Sequence, residues 1–171
     1  MAQKLNELSF AQMALQIRTG LVTSEAIMLA CIDRIEQREA EVGAFVCFDA
    51  NAALASARLA DQSEAKEPLH GVPFAIKDII DTNIFPTGWG TTFYDGHQPS
   101  RNASCVEMFI RAGAIPFGKT VTTEFAYFKP GKTANPHNLN HTPGGSSSGS
   151  AAAVADNMLP FGFGSQTAAS L

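Results

Sequence analysis

Two turns rich in small residues carry serines where a hydroxyl can attack a carbonyl or relay a proton. They are Gly144-Gly145-Ser146-Ser147-Ser148-Gly149-Ser150 and Gly164-Ser165-Gln166-Thr167-Ala168-Ala169-Ser170. Such a pair suggests a nucleophile and its relay, with Ser170, one residue before Leu171, as the attacking hydroxyl. A serine is a weak nucleophile until a base takes its proton, and histidine is the usual base. Here histidine is poorly placed. His70 precedes a Gly-Val-Pro turn, His97 sits among Gly and Pro, and His137 and His141 lie between Pro136 and Pro143. A metal-binding pair four residues apart needs a helix, which those prolines oppose, so all four read as satisfied surface or loop histidines.

A lysine can serve instead where burial keeps its amine neutral. Lys77 is the candidate, because it closes the apolar run Val72 to Ile76 and precedes Ile79 and Ile80. Two structural readings compete: pairing with Asp78 or Asp81, or reaching solvent from a strand end. For Lys77 taken alone they outweigh catalysis. The first serine turn has the composition of a flexible linker, yet it joins a proline-rich loop to a compact Ala, Val and Leu segment. A phosphate-cradling loop would end in Gly-Lys-Ser/Thr, and Ser148-Gly149-Ser150 stands there instead. In the second turn, successive backbone N–H groups before Ser170 can form an oxyanion hole, or the segment is a tight strand-to-helix turn without chemistry.

Composition narrows the function classes. A chain of 171 residues is long enough for a real core, and 16% charged residues is low against about 25% for soluble domains. Low charge means that much of the surface wants covering, which fits a piece of a larger body. The net charge of -4 and the scattered Lys and Arg leave no footprint for nucleic acid. Without an apolar leader or a run of about 18 apolar residues, no membrane partner is expected and the protein reads as cytoplasmic. Cys31, Cys47 and Cys105 show no C-x-x-C spacing and read as reduced core thiols, Cys105 buried and inert on a helix. Neither metal nor cofactor is expected.

The elements that must position these residues change character along the chain. Helical patterns cover Phe10 to Thr19 and Ser24 to Glu39, the latter with Met28, Ile32 and Ile35 on one face and Thr23 or Ser24 as its cap. A short strand spans Ala44 to Phe48, and Asp49 caps an alanine-rich helix to about Ser63. After a polar link from Asp61 to Pro68 the pattern becomes α/β. A buried strand runs from Val72 to Ile76, with Lys77 and Asp78 at its end. Asn102 or Ser104 opens a helix with Ser104 and Glu107 at capping-box spacing and Gly113 as its stop, and a second buried strand runs from Ile115 to Lys119. Residues 127–143 are expected as an ordered loop, Ser150 to Ala155 as a helix and Pro160 to Gly164 as a short strand.

Taken together, these pieces resemble the amidase signature family, over Gly71 to the end and more loosely over the N-terminal helices. The most specific part is Pro143-Gly144-Gly145-Ser146-Ser147-Ser148-Gly149-Ser150-Ala151-Ala152-Ala153-Val154-Ala155, continuing into Gly164 to Ser170; Gly118-Lys119-Thr120 and Thr123-Glu124-Phe125 also match. The resemblance implies an α/β amidase signature fold with a mixed sheet core covered by helices. It implies an amidohydrolase that forms an acyl-serine, with Lys77 as general base, Ser146 as a cis-peptide relay and Ser170 as nucleophile. Thr167, Ala168 and Ala169 would hold the oxyanion, with Ser147 in the oxyanion or substrate contacts. Ala168 and Ala169 stand where the family often has glycines, and Gln166 where many members carry Asp. The last difference favours a free amidohydrolase over the alternative, a glutamine amidotransferase subunit for aminoacyl-tRNA. The implied partners are a small amide and either a second copy of the chain or partner subunits. Because the family's domain needs several hundred residues, 1–171 is expected to be the N-terminal portion of one domain, helical over about 1–65 and α/β over about 66–171. A catalytically inert fragment is the third reading.

Overall fold

The computed structural model describes residues 3–166, so the expectations placed on Thr167, Ala168, Ala169 and Ser170 lie outside the described residues. Three helices dominate the first third. α1 (Phe10–Arg18) opens with a capping box, in which Ser9 Oγ accepts the Gln12 N–H and the Gln12 side chain returns to the Ser9 N–H. α2 (Ser24–Val42) is capped by Thr23 and stops at Gly43, whose φ of 61° is a left-handed value that glycine adopts without a Cβ penalty. β1 (Phe45–Phe48) follows, and Asp49 then caps α3 (Ala50–Asp61) by accepting from Ala52 N–H.

β2 (Pro73–Lys77), α4 (Ser104–Arg111), β3 (Ile115–Thr120), α5 (Ser148–Ala155) and β4 (Gly162–Phe163) complete the described elements, besides three short 3-10 turns. The strand order is β1-β3-β2-β4, with β1 antiparallel to β3 and β2 parallel to both β3 and β4. Parallel strands are covered on both faces, and every residue of β2 is buried. On one face Ala75 and Phe117 meet Ile27 and Met28 of α2, Ala53 of α3 and Ala152 of α5; on the other, Phe74 and Ile76 meet Val106 of α4. Lys77 pairs in register with Thr120, and Ile76 with Lys119. The end of β2 is therefore the carboxyl end of parallel strands, the edge where ligands bind in open α/β sheets.

Several local expectations need correction. α4 has no Ser104–Glu107 capping box: Ala103 is the N-cap residue and no side chain caps it. Glu107 instead accepts from the Asn102 amide, whose oxygen holds Thr82 Oγ1 and Asn83 N–H, so the side chains are committed to the preceding loop. Among the thiols only Cys31 is fully buried, its pKa pushed up to about 12 by burial; Cys47 and Cys105 are half-buried. His70 is a satisfied turn histidine, one of the two settings expected for it, and is buried, its ring between the Glu67 carboxylate at 3.2 Å and the Ala60 carbonyl at 3.0 Å. β4 spans two residues, shorter than the stretch from Pro160 to Gly164.

Candidate functional site

The site forms where the end of β2 meets both serine turns. Lys77 is fully buried, and its ammonium donates to Ser146 Oγ at 2.6 Å, Ser147 Oγ at 2.9 Å, Ser165 Oγ at 3.0 Å and Ser165 O at 3.3 Å. It neither reaches solvent nor bonds to Asp78 or Asp81, the two contacts that compete with catalysis on sequence grounds. Burial pulls its pKa from 10.5 down to about 8, because a low-dielectric surrounding disfavours the charged form. A neutral amine is thus within reach near physiological pH, with the Ser146 hydroxyl as its shortest contact.

The first serine turn is clamped from three sides. Ser146 O accepts the Thr123 N–H at 3.1 Å, and the Gly145–Ser146 peptide is cis. A Cβ on Gly145 would lie 2.7 Å from Thr123 Cγ2, so glycine lets Thr123 approach. At the start of α5, Gly149 N–H donates to Val121 O at 2.9 Å. One turn deeper, Ser150 Oγ donates to Phe163 O at 2.8 Å, which makes Thr120 the donor in its 2.6 Å contact with Ser150 Oγ. This chain of hydroxyls ties α5 to β3 and β4 and so delivers the second turn to the first. There, Ser165 N–H donates to Ser147 Oγ at 3.3 Å.

Of the residues singled out in the sequence, Lys77, Ser146 and Ser147 are brought together, with the Ser147 hydroxyl turned onto the lysine. Two further side chains of this region were not singled out by sequence reasoning. Ser165 touches Lys77 directly; its signal was its place after Gly164 in the second turn. Lys119 is buried on the other face of the sheet beside Asp78. Its signal was a cation inside an apolar strand pattern. Burial lowers the Lys119 pKa, with Asp78 opposing that shift.

Two depressions border the site. One, of about 540 Å³, is lined by Gly144, Gly145, Ser147, Ala151, Val154 and Gly164 among others. The second, of about 230 Å³, is lined by Thr123, Tyr127, Phe128, Pro130, Thr142 and the same two glycines. The surroundings are mostly apolar with few polar groups, as small-molecule sites usually are. Among the described residues there is no group of three or more His, Cys, Asp or Glu placed to hold a metal, and no helix long and apolar enough to cross a membrane.

The profile of the family described as Amidase matches residues 26–171. A glutamyl-tRNA(Gln) amidotransferase subunit from Chloroflexus aggregans is 38% identical over 165 residues, covering 91% of this chain and 34% of that relative. The crystal structure of a native peptide amidase from Stenotrophomonas maltophilia superposes with a TM-score of 0.81 at 30% identity, over 90% of this chain and 35% of that one. A fatty acid amide hydrolase shares the fold, with a TM-score of 0.85 at 22% identity over 95% of this chain and 31% of that one. The chain thus spans about a third of the length of the proteins it matches.

Proposed function

Since the chain belongs to the amidase family, we propose that it supplies the base, relay and nucleophile of an enzyme that cleaves a carboxylic amide through an acyl-serine intermediate. The observation that carries this reading is the buried Lys77 amine, 2.6 Å from Ser146 Oγ and with hydroxyls and a carbonyl as its partners. Neutral Lys77 accepts the Ser146 proton while Ser146 accepts that of Ser170, whose oxygen attacks the amide carbon. Backbone N–H groups of Thr167, Ala168 and Ala169 stabilise the oxyanion. The proton returns through Ser146 to the leaving nitrogen as the C–N bond breaks, and water or another acceptor then releases the acyl group.

Ser170→Ala in the full-length protein tests the assignment: amide hydrolysis should vanish, and hydrolysis at the wild-type rate overturns it. The pH profile gives an independent check. Lys77 must be unprotonated to act, so kcat/KM should rise about tenfold per pH unit below about 8 and level off above it. A profile flat from pH 6 to 9 contradicts Lys77 as the base.

A second reading, an amidotransferase subunit that releases ammonia from glutamine for an aminoacyl-tRNA, is favoured by the names of the curated relatives. Glutaminase activity together with co-purifying partner subunits selects it over free amide hydrolysis. Labelling of Ser170 by a fluorophosphonate in the 171-residue chain counts against an inert fragment.

A further inference from the structure

Asp78 directly follows Lys77, and a carboxylate beside an amine ordinarily holds it protonated. The pleat separates them. Successive strand residues face opposite ways, and the register places Lys119 next to Ile76 and Thr120 next to Lys77. Lys119 thus lies on the face away from the serine turns. There Asp78 Oδ1 is 3.4 Å from Lys119 Nζ, with both side chains buried. The ammonium also donates to Thr87 Oγ1 at 2.7 Å, Ile80 O at 3.0 Å and Pro86 O at 3.3 Å, while the carboxylate accepts from Gly88 and Gly90 N–H.

We propose that Lys119 is a positioning residue for the Lys77 site: it takes up the Asp78 carboxylate on the far face of the sheet and keeps that charge off the Lys77 amine. The proposal rests on the reading of Lys77 as the base. The other charged groups nearby do not substitute for Lys119. Neither α5 nor β4 carries a charged residue. Asp156, just beyond α5, is held by Arg34 and Arg38, and Glu124 beyond β3 is paired with Lys129. Asp81 and the half-buried Cys47 of β1 act on Lys119 itself, both favouring its charged form.

Lys119→Met removes the countercharge at similar volume. Lys77 is followed by the 13C shift of its side chain during a pH titration of the full chain, its signal assigned by loss in Lys77→Arg. At an effective dielectric of about 20, unit charges about 6 to 12 Å apart move one another's pKa by roughly 1 to 2 units. The Lys77 midpoint should therefore rise by about 1 to 2 pH units in Lys119→Met, and the acid limb of kcat/KM should rise with it. The double variant Asp78→Asn/Lys119→Met should restore both. If Lys119→Met does not fold, the double variant is compared with Asp78→Asn, in which the unopposed Lys119 charge should pull Lys77 lower. An unchanged Lys77 midpoint in either comparison overturns the proposal. The expected shifts in a protein without amide-cleaving activity would instead reject the base assignment and leave the charge pairing standing.

Discussion

Lys77→Met should lower kcat/KM for a simple amide by at least about 1,000-fold, within the range lost when a positioned general base is removed. The side chain is fully buried and its amine bridges both serine turns. Methionine fills a similar volume without a proton acceptor. Lys77→Arg should be equally inactive, because a guanidinium cannot give up its proton in this range; an active arginine variant would show that positive charge, not basicity, is what the site needs. Stability is the control. An amine pulled down to about 8 costs the fold free energy while it stays protonated, so the methionine variant should melt no lower than wild type. Steady-state kinetics and thermal unfolding on one preparation separate the two effects.

Gly149→Ala should be among the most damaging single added methyl groups at the described glycines. A Cβ there would lie 2.2 Å from Ala44 O and 2.3 Å from Val121 N. Those two atoms are hydrogen-bonded to each other at 2.9 Å, so the methyl would be driven into a backbone bond that extends the β1–β3 pairing. Neither atom is the end of a flexible side chain. Overpacking usually costs about 1 to 3 kcal/mol, and a clash with fixed backbone belongs at the top of that range, roughly 3 kcal/mol. Ala151→Gly, at an exposed position of the same helix, should cost only about 1 kcal/mol through helix propensity. Denaturant titration of both variants checks the contrast; a Gly149→Ala midpoint equal to wild type would show that α5 moves away from the sheet at little cost.

The helices and strands were largely legible because their signals are local. The apolar run of β2 and the Thr23 and Asp49 caps act within a few positions of themselves. Lys77 was legible as a candidate but not as a site, since what decides its partners is the face it shares with Thr120, a matter of register between distant strands. Asp78 looked like its natural counter-ion for the same reason, and the pleat sends it to Lys119. Ser104 and Glu107 had the spacing of a capping box, but Glu107 accepts from the Asn102 amide, whose oxygen the loop carrying Thr82 and Asn83 claims. The burial of His70 in its turn was not legible, because the Ala60 carbonyl that closes over it comes from α3. In each case a contact across the chain outweighed a signal along it.

The contacts that bring Lys77 to its serines join residues 69, 70 and 88 apart in sequence. Closures of that length come late, because the entropy of the intervening chain is lost before any contact repays it. In the unfolded chain Lys77 is an ordinary hydrated ammonium. On the proposed reading, a polypeptide still emerging from the ribosome therefore carries no activated hydroxyl able to attack its own or its neighbours' amide bonds, and reactivity switches on only once the two serine turns have met.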